Sequence, residues 1–306
     1  MDDALPMVVL RWLLYAALMT LWGVPLFAWH ALTEAEHGGA AGRAFRRLMV
    51  WAAGLGLAFA VAGMAWLAKS MIGAAAWADI PASTYAMLVA DTAMGWAWQV
   101  RMGALLVALV AAMAGLGSVR RAVVMVAGAV ALASLAWTGH GAMDSGARGI
   151  AHLGADILHL WAAGAWWGAL VAFVLLVRAA RTNQPASVDV LSRAAHGFAH
   201  IGSLVVALLV VTGVINYVMI AGWTWAPLVE TRYGHLLLAK LAVFGVMVGL
   251  AGMNRYRLSP ALLLARQQGD AARAVRLLRR SLLLETSAAG VVLGLVAWLG
   301  TISPMP

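Results

Sequence analysis

The sequence contains no cysteine. Disulfides, thiolate metal centres and cysteine nucleophiles are therefore excluded. Charge is also scarce: Asp, Glu, Lys and Arg make up 11% of the 306 residues, against about 25% in a soluble domain. Acidic residues number only 12, against 21 Lys and Arg. The polar surface that a water-soluble domain of this length needs is missing. In its place the chain is 64% hydrophobic. Several runs reach the roughly 20 apolar residues that cross a bilayer core. The chain reads as an all-α, polytopic membrane bundle, a single domain over 1–306 in contact with the lipid bilayer. The formal net charge of +9 does not point to nucleic acid, because the arginines cluster in short loops, as membrane orientation requires.

Without thiolates, a soft metal has to be held by Met and His. The 16 Met are individually ordinary membrane filler, and the 15 Trp partly fit interfacial belts. The N-terminal MDDALPMVVLRWLL has no basic leading region and no small-residue cleavage site after it. It is expected to be a retained first span.

Hydrophobic patterning predicts eight spans, at about 8–32, 48–69, 99–118, 122–138, 150–177, 197–221, 234–253 and 282–302. The loops 34–47, 119–121, 178–195 and 254–281 hold most of the basic residues, among them Arg46, Arg121, Arg193 and Arg266. The alternate loops 70–98, 139–149 and 222–233 hold only Arg148 and Arg232. The positive-inside rule places the Arg-rich side in the cytoplasm and both termini outside. Lys69 and Arg101 are expected to snorkel to the outer interface, and Arg11 to do the same from span one. Segment 70–98, rich in Trp, Tyr and Met, is expected to lie on the membrane surface or cap the bundle. Segment 262–281, with arginines among leucines, reads as an amphipathic helix on the inner leaflet. No internal repeat is evident, so an inverted-repeat transporter is not supported.

One stretch carries the chemistry. From His140 to Gly168 the chain passes through a glycine-rich hinge with His140, Met143 and Asp144, then enters span five with His152, Asp156 and His159. The three residues of the helix are spaced i, i+4 and i+7, so they share one face. An Asp and two His in an apolar span are costly unless they pair, line a wet cavity or bind an ion. His235, at the start of span seven, falls near the same level. The candidate metal set is His140, Met143, His152, Asp156, His159 and His235. His152 and His159 are stacked by roughly 10 Å along the helix, while metal–nitrogen bonds are about 2 Å. They cannot share an ion unless the side chains converge, so completion falls to His140 and His235. Imidazole suits copper and zinc, and thioether favours Cu(I). Two stacked half-sites also suit a permeation path. The plainer alternative pairs Asp156 with Lys240 or Arg11 and leaves the histidines as hydrogen-bonding glue between helices. His196 and His200, with His30, lie towards the inner face and form a weaker candidate for an exit site. Glu285 is expected beside an arginine, and Asn216 and Asn254 as interhelical hydrogen bonders.

These residues resemble the CopD/PcoD family of bacterial copper-resistance inner-membrane proteins. The resemblance rests on His152, Asp156, His159 and Trp166-Trp167-Gly168. It extends to Thr212-Gly213, Asn216, Glu230-Thr231-Arg232-Tyr233-Gly234, Leu237-Leu238, Lys240 and Asn254-Arg255, then to Glu285 and Gly300-Thr301-Ile302-Ser303-Pro304. It covers most of the chain and is weakest over 34–98. It implies an eight-span, multi-pass protein of the bacterial inner membrane with periplasmic termini. It also implies movement of copper ions, Cu(I) or Cu(II), from periplasm to cytoplasm, with a periplasmic copper carrier of the CopC type as partner. His140, His152, Asp156 and His159 are functional positions by this resemblance. The protein is then not an enzyme, and no hydrolase motif appears in a suitable context. The alternative is a b-type haem protein, since two of the outer histidines could serve as axial ligands in a helical bundle.

Overall fold

The computed structural model describes residues 4–115, 117–138, 146–180, 184–268 and 270–302. Among them there is no strand. Eight helical segments are long and apolar enough to cross a membrane, as the hydropathy predicts. Helix α1 spans Ala4–Ala31, and short α2 (Glu34–Gly38) leads into α3 (Ala40–Ile72). Helix α4 (Ala82–Ala90) precedes α5 (Ala93–Met113), and α6 (Ser118–Ala133) ends in a 3₁₀ turn, Ser134–Thr138. Then come α7 (Gly146–Ala179), α8 (Pro185–Ala221), short α9 (Ala226–Glu230) and α10 (Arg232–Met253). A π turn, Asn254–Leu258, joins α10 to α11 (Ser259–Gln267), and α12 (Ala272–Leu299) closes the bundle.

Helix α7 is the most buried span, and the segment Arg232–Gln267 the least. The first contact that fixes this arrangement is the crossing of α7 with α1. A methyl group on Gly23 would fall 2.0 Å from the carbonyl oxygen of Gly164, and one on Gly168 would fall 2.2 Å from the carbonyl carbon of Gly23. The two backbones touch there, which only glycine permits. Gly164-x-x-x-Gly168 is thus a small-residue seam of the kind that lets membrane helices approach closely. Tryptophans bridge neighbouring helices around the seam. Trp167 Nε1 donates to Thr20 Oγ1 (2.8 Å), Trp22 Nε1 to the Trp161 carbonyl (3.0 Å) and Trp161 Nε1 to that of Ala129 (3.0 Å).

Salt bridges gather the Arg-rich loops at one end. Arg121 of α6 meets Glu34 of α2 at 2.7 Å, Arg193 of α8 meets Glu36 at 2.6 Å, and Arg266 of α11 meets Asp189 of α8 at 2.6 Å. At the other end the guanidinium of Arg11 packs against Gly300, so the beginning of α1 and the end of α12 lie together. Trp77, Trp223 and Trp225 are exposed near that second end, as expected of residues at a membrane interface.

Several expectations need correction. Spans two and six are longer than their apolar cores, starting at Ala40 and Pro185. Helix α8 has 37 residues, about 55 Å at 1.5 Å each, and its polar first turns project beyond a hydrocarbon core of about 30 Å. Residues 262–281 are not one amphipathic helix. Leu262 belongs to α11, whereas Arg273, Arg276, Arg279 and Arg280 form the first turns of the last span itself. Arg101 does not snorkel. It is 4% exposed and donates from Nε to Ser134 Oγ (2.9 Å) and from Nη2 to the Ser134 carbonyl (3.2 Å). The 3₁₀ turn after α6 supplies that acceptor, which hydropathy cannot foresee. Lys69 does lie at the helix end, over the rings of Trp77 (4.9 Å) and Trp66 (5.8 Å).

Candidate functional site

The polar stripe of α7 lies where α7 faces α8. His159 Nδ1 and Thr212 Oγ1 are 2.9 Å apart. The only proton on Thr212 Oγ1 goes to the Leu208 carbonyl, 2.6 Å away. The hydroxyl must therefore accept, and His159 Nδ1 must carry the N–H. This fixes the tautomer: Nε2 keeps its lone pair. Metal-ligating histidines are oriented in just this way, with one nitrogen donating to an outer partner. Gly213 lies beside the ring, with room for a methyl 3.6 Å from Cε1.

One turn before His159, Asp156 Oδ1 accepts from Asn216 Nδ2 at 3.3 Å. Thr212 and Asn216 are themselves i and i+4 on α8, so two adjacent residues of each helix meet two of the other. The Asn216 amide oxygen is buried with no hydrogen-bond partner among the described residues. An acceptor left alone beside a carboxylate marks a place suited to a cation or a proton donor. His152 is 1% exposed and within electrostatic reach of Asp156. Lys240 of α10 is half-buried and within reach of both Asp156 and His159. The alternative pairing with Arg11 is not made, since Arg11 Nη2 donates to Tyr15 OH (2.9 Å).

The other predicted ligands are distributed less tightly. His235 is exposed, and its Nε2 donates to the Val229 carbonyl at 2.9 Å, which leaves Nδ1 open. His140 and Met143 lie outside the described residues. Among the described residues no three His, Asp or Glu side chains converge closely enough to hold one metal ion. The reason is the rise along α7: His152, Asp156 and His159 share a face but stand at successive depths.

The stripe continues beyond the predicted set. From His152, Asp156 and His159 the same face runs through Ala163 to Trp166, at alternating steps of four and three. Trp166 Nε1 donates to Glu285 Oε1 of α12 at 2.8 Å. Asn254 Nδ2, in the π turn after α10, donates to Glu285 Oε2 at 2.8 Å. Glu285 is 3% exposed. Sequence reasoning expected an arginine beside this carboxylate, but the partners are neutral donors. Arg255, the adjacent cation, instead turns to the Ala199 carbonyl (2.9 Å) and to Ser203 Oγ. Asn254 is the first residue of the π turn, where α10 leaves its regular hydrogen-bonding pattern. The Asn254 amide oxygen, like that of Asn216, is buried without a hydrogen-bond partner among the described residues. Among the described residues two carboxylate–asparagine pairs thus stand part-buried, their α7 positions ten residues or about 15 Å apart. The second pair was readable only as a continued heptad stripe ending in Trp166. Nearer the Arg-rich end, His30 Nδ1 donates to the Leu26 carbonyl (2.9 Å), and its ring stacks on Phe198 with centroids 6.2 Å apart.

Residues 1–150 match the family described as copper resistance protein D-like, N-terminal domain, and residues 192–299 match copper resistance protein D. Copper resistance protein D of Pseudomonas syringae pv. tomato is 47% identical over 307 aligned positions, covering 99% of this chain and 98% of that protein. Inner membrane protein YebZ of Escherichia coli strain K12 is 28% identical over 301 positions, covering 97% and 98%. No solved structure matches. Two family matches in one eight-span helical bundle, and a relative nearly half identical from end to end, show that the chain belongs to the copper resistance protein D family.

Proposed function

We propose that this protein moves copper across the bacterial inner membrane, from the Arg-poor, periplasmic end to the Arg-rich, cytoplasmic end. The observation that carries the reading is the fixed tautomer of His159. A ring nitrogen with a free lone pair, held by Thr212 about one helical turn from Asp156, is a preformed ligand for a copper ion. The family name and the inner-membrane relative support the cargo and the compartment.

In this reading copper is substrate, not resident cofactor, and the protein is a carrier, not an enzyme. The ion arrives at the outer end, where His140, Met143 and His235 can receive it from a periplasmic carrier of the CopC type. His152, Asp156 and His159 then offer donors at successive depths. Stations with few donors each release an ion more readily than one closed cage. Lys240 lies within electrostatic reach of both Asp156 and His159. Further in, Glu285 and the Asn254 carbonyl offer oxygen donors for the inner half of the path.

The test is cellular copper by mass spectrometry in strains carrying His159→Ala or Asp156→Asn, with membrane insertion checked by immunoblot. Copper accumulation is expected to fall to the level of a strain lacking the protein. Wild-type accumulation in an inserted His159→Ala protein overturns the reading. The absorption spectrum of the purified protein separates it from the haem alternative, which requires a strong violet band.

A further inference from the structure

A second site lies far from the polar stripe, at the Arg-rich end. Helices α1, α2, α3 and α6 enclose a cavity of about 480 Å³ there, within the range of roughly 300–1,000 Å³ typical of ligand sites. Its two halves differ in chemistry. The deeper wall is apolar, with Val24 and Ala28 of α1, Phe45 and Met49 of α3 and Val124 of α6. The mouth carries Arg46, Arg120, Arg121, Glu34 and His37.

The charges at the mouth do not cancel. Arg121 is engaged by Glu34, at 2.7 and 3.0 Å to its two oxygens. Arg46 and Arg120 have no hydrogen-bond or ion-pair partner among the described residues and leave the mouth positive. His37 is only 6% exposed, lines the same cavity, and its ring has no hydrogen-bond partner among the described residues. Burial first, and the charge of Arg121 second, hold that imidazole below its ordinary pKa, so at neutral pH it offers one N–H and one acceptor. A buried imidazole facing a cavity beside two guanidinium groups presents the donor chemistry that an anion takes. An apolar wall beneath it calls for an anion with hydrocarbon attached.

We propose that this cavity binds an anionic glycerophospholipid, its phosphodiester held by Arg46, Arg120 and His37 and its acyl chains laid against Val24, Phe45 and Met49. Basic recesses between membrane helices recognise acidic lipid headgroups by this chemistry. The ligand packs against α1, α3 and α6 together, so it would clamp the three helices at that end. This inference does not depend on the copper reading.

The experiment places the full-length protein in nanodiscs of phosphatidylcholine with or without phosphatidylglycerol, then counts retained lipid by native mass spectrometry after detergent release. Wild type is expected to retain phosphatidylglycerol over phosphatidylcholine by at least about tenfold. R46Q/R120Q is expected to lose that preference. R276Q/R280Q removes the same charge from exposed positions elsewhere at this end and is expected to keep it. Equal loss in both double variants, or no loss in R46Q/R120Q, overturns the proposal. So does displacement of phosphatidylglycerol by inorganic phosphate in excess, which would make the occupant a soluble anion. Should R46Q/R120Q fail to insert, a photoactivatable phosphatidylglycerol on the wild-type protein decides: adducts within 24–49 or 119–125 support the site, and adducts elsewhere refute it.

Discussion

At the scale of the residue, one hydroxyl determines what His159 can do. Thr212 spends its proton on the Leu208 carbonyl and so can only accept from His159 Nδ1. Replacement of Thr212 by Val keeps the shape but removes the acceptor, freeing the ring to change tautomer or rotate. Loss of such an outer partner typically weakens metal binding about 10- to 100-fold. Thr212→Val is therefore expected to cut copper accumulation by about that factor, while Thr212→Ser keeps most of it. A Thr212→Val strain accumulating copper like wild type would detach the hydroxyl from the function. The deeper pair gives a different forecast. Among the described residues Glu285 is bound by two neutral donors and by no cation. Glu285→Gln preserves size and replaces one carboxyl oxygen by an amide nitrogen, so copper uptake should fall while insertion stays normal. If Glu285 serves only as structural glue, Glu285→Gln and wild type will transport alike and differ only in thermal stability.

At the scale of the element, two local devices position the site. The first is the glycine seam of α1 and α7. A methyl on Gly168 would meet the Gly23 backbone at 2.2 Å, and backbone cannot move aside as a flexible side chain can. Gly168→Val is expected to cost at least about 3 kcal/mol, at the upper end of overpacking effects, and to appear as aggregation or loss of the folded peak in detergent. Gly54 of α3 is the control: a methyl there would meet nothing within 4 Å. Gly54→Ala should be neutral or stabilising by up to about 1 kcal/mol, from helix propensity alone. The second device occurs twice. A short helix ends, a Thr caps the next span, and a Gly three residues on packs under the preceding carbonyls. Thr92 and Gly95 do this after α4, and Thr231 and Gly234 after α9. The Glu230-Thr231-Arg232-Tyr233-Gly234 motif owes its Thr and its Gly to this turn, and the turn sets where α10 begins.

At the scale of the whole molecule, a belt of ion pairs closes the Arg-rich end. Glu36 is its centre: it accepts from the Thr33 N–H (2.8 Å) and from Arg193 (2.6 Å). Burial pushes its carboxyl pKa up, but the Arg193 and Thr33 hydrogen bonds and the Arg193 charge outweigh this and hold it below the ordinary value. A carboxyl lowered on folding adds stability that is present at neutral pH and is lost as pH falls through the lowered pKa. Thermal melts of wild type and Glu36→Gln should differ by at most about 1 kcal/mol at pH 7. The gap should close as the medium is acidified below the ordinary carboxylate range. A gap that survives strong acid would mean that packing, not charge, holds this corner.

The sequence alone determined the number of spans, the segregation of arginine to one end and the shared face of His152, Asp156 and His159. These follow from hydropathy and helical period, which are properties of neighbouring residues. The burial of Arg101, the partnering of Glu285 by Trp166 and Asn254, the tautomer of His159 and the cavity around His37 were decided only by the tertiary structure. Each depends on which residue of one helix lies level with which residue of another. That level is set by the glycine crossing of α1 and α7, the π turn at Asn254 and the caps at the span ends, and no single helix carries it.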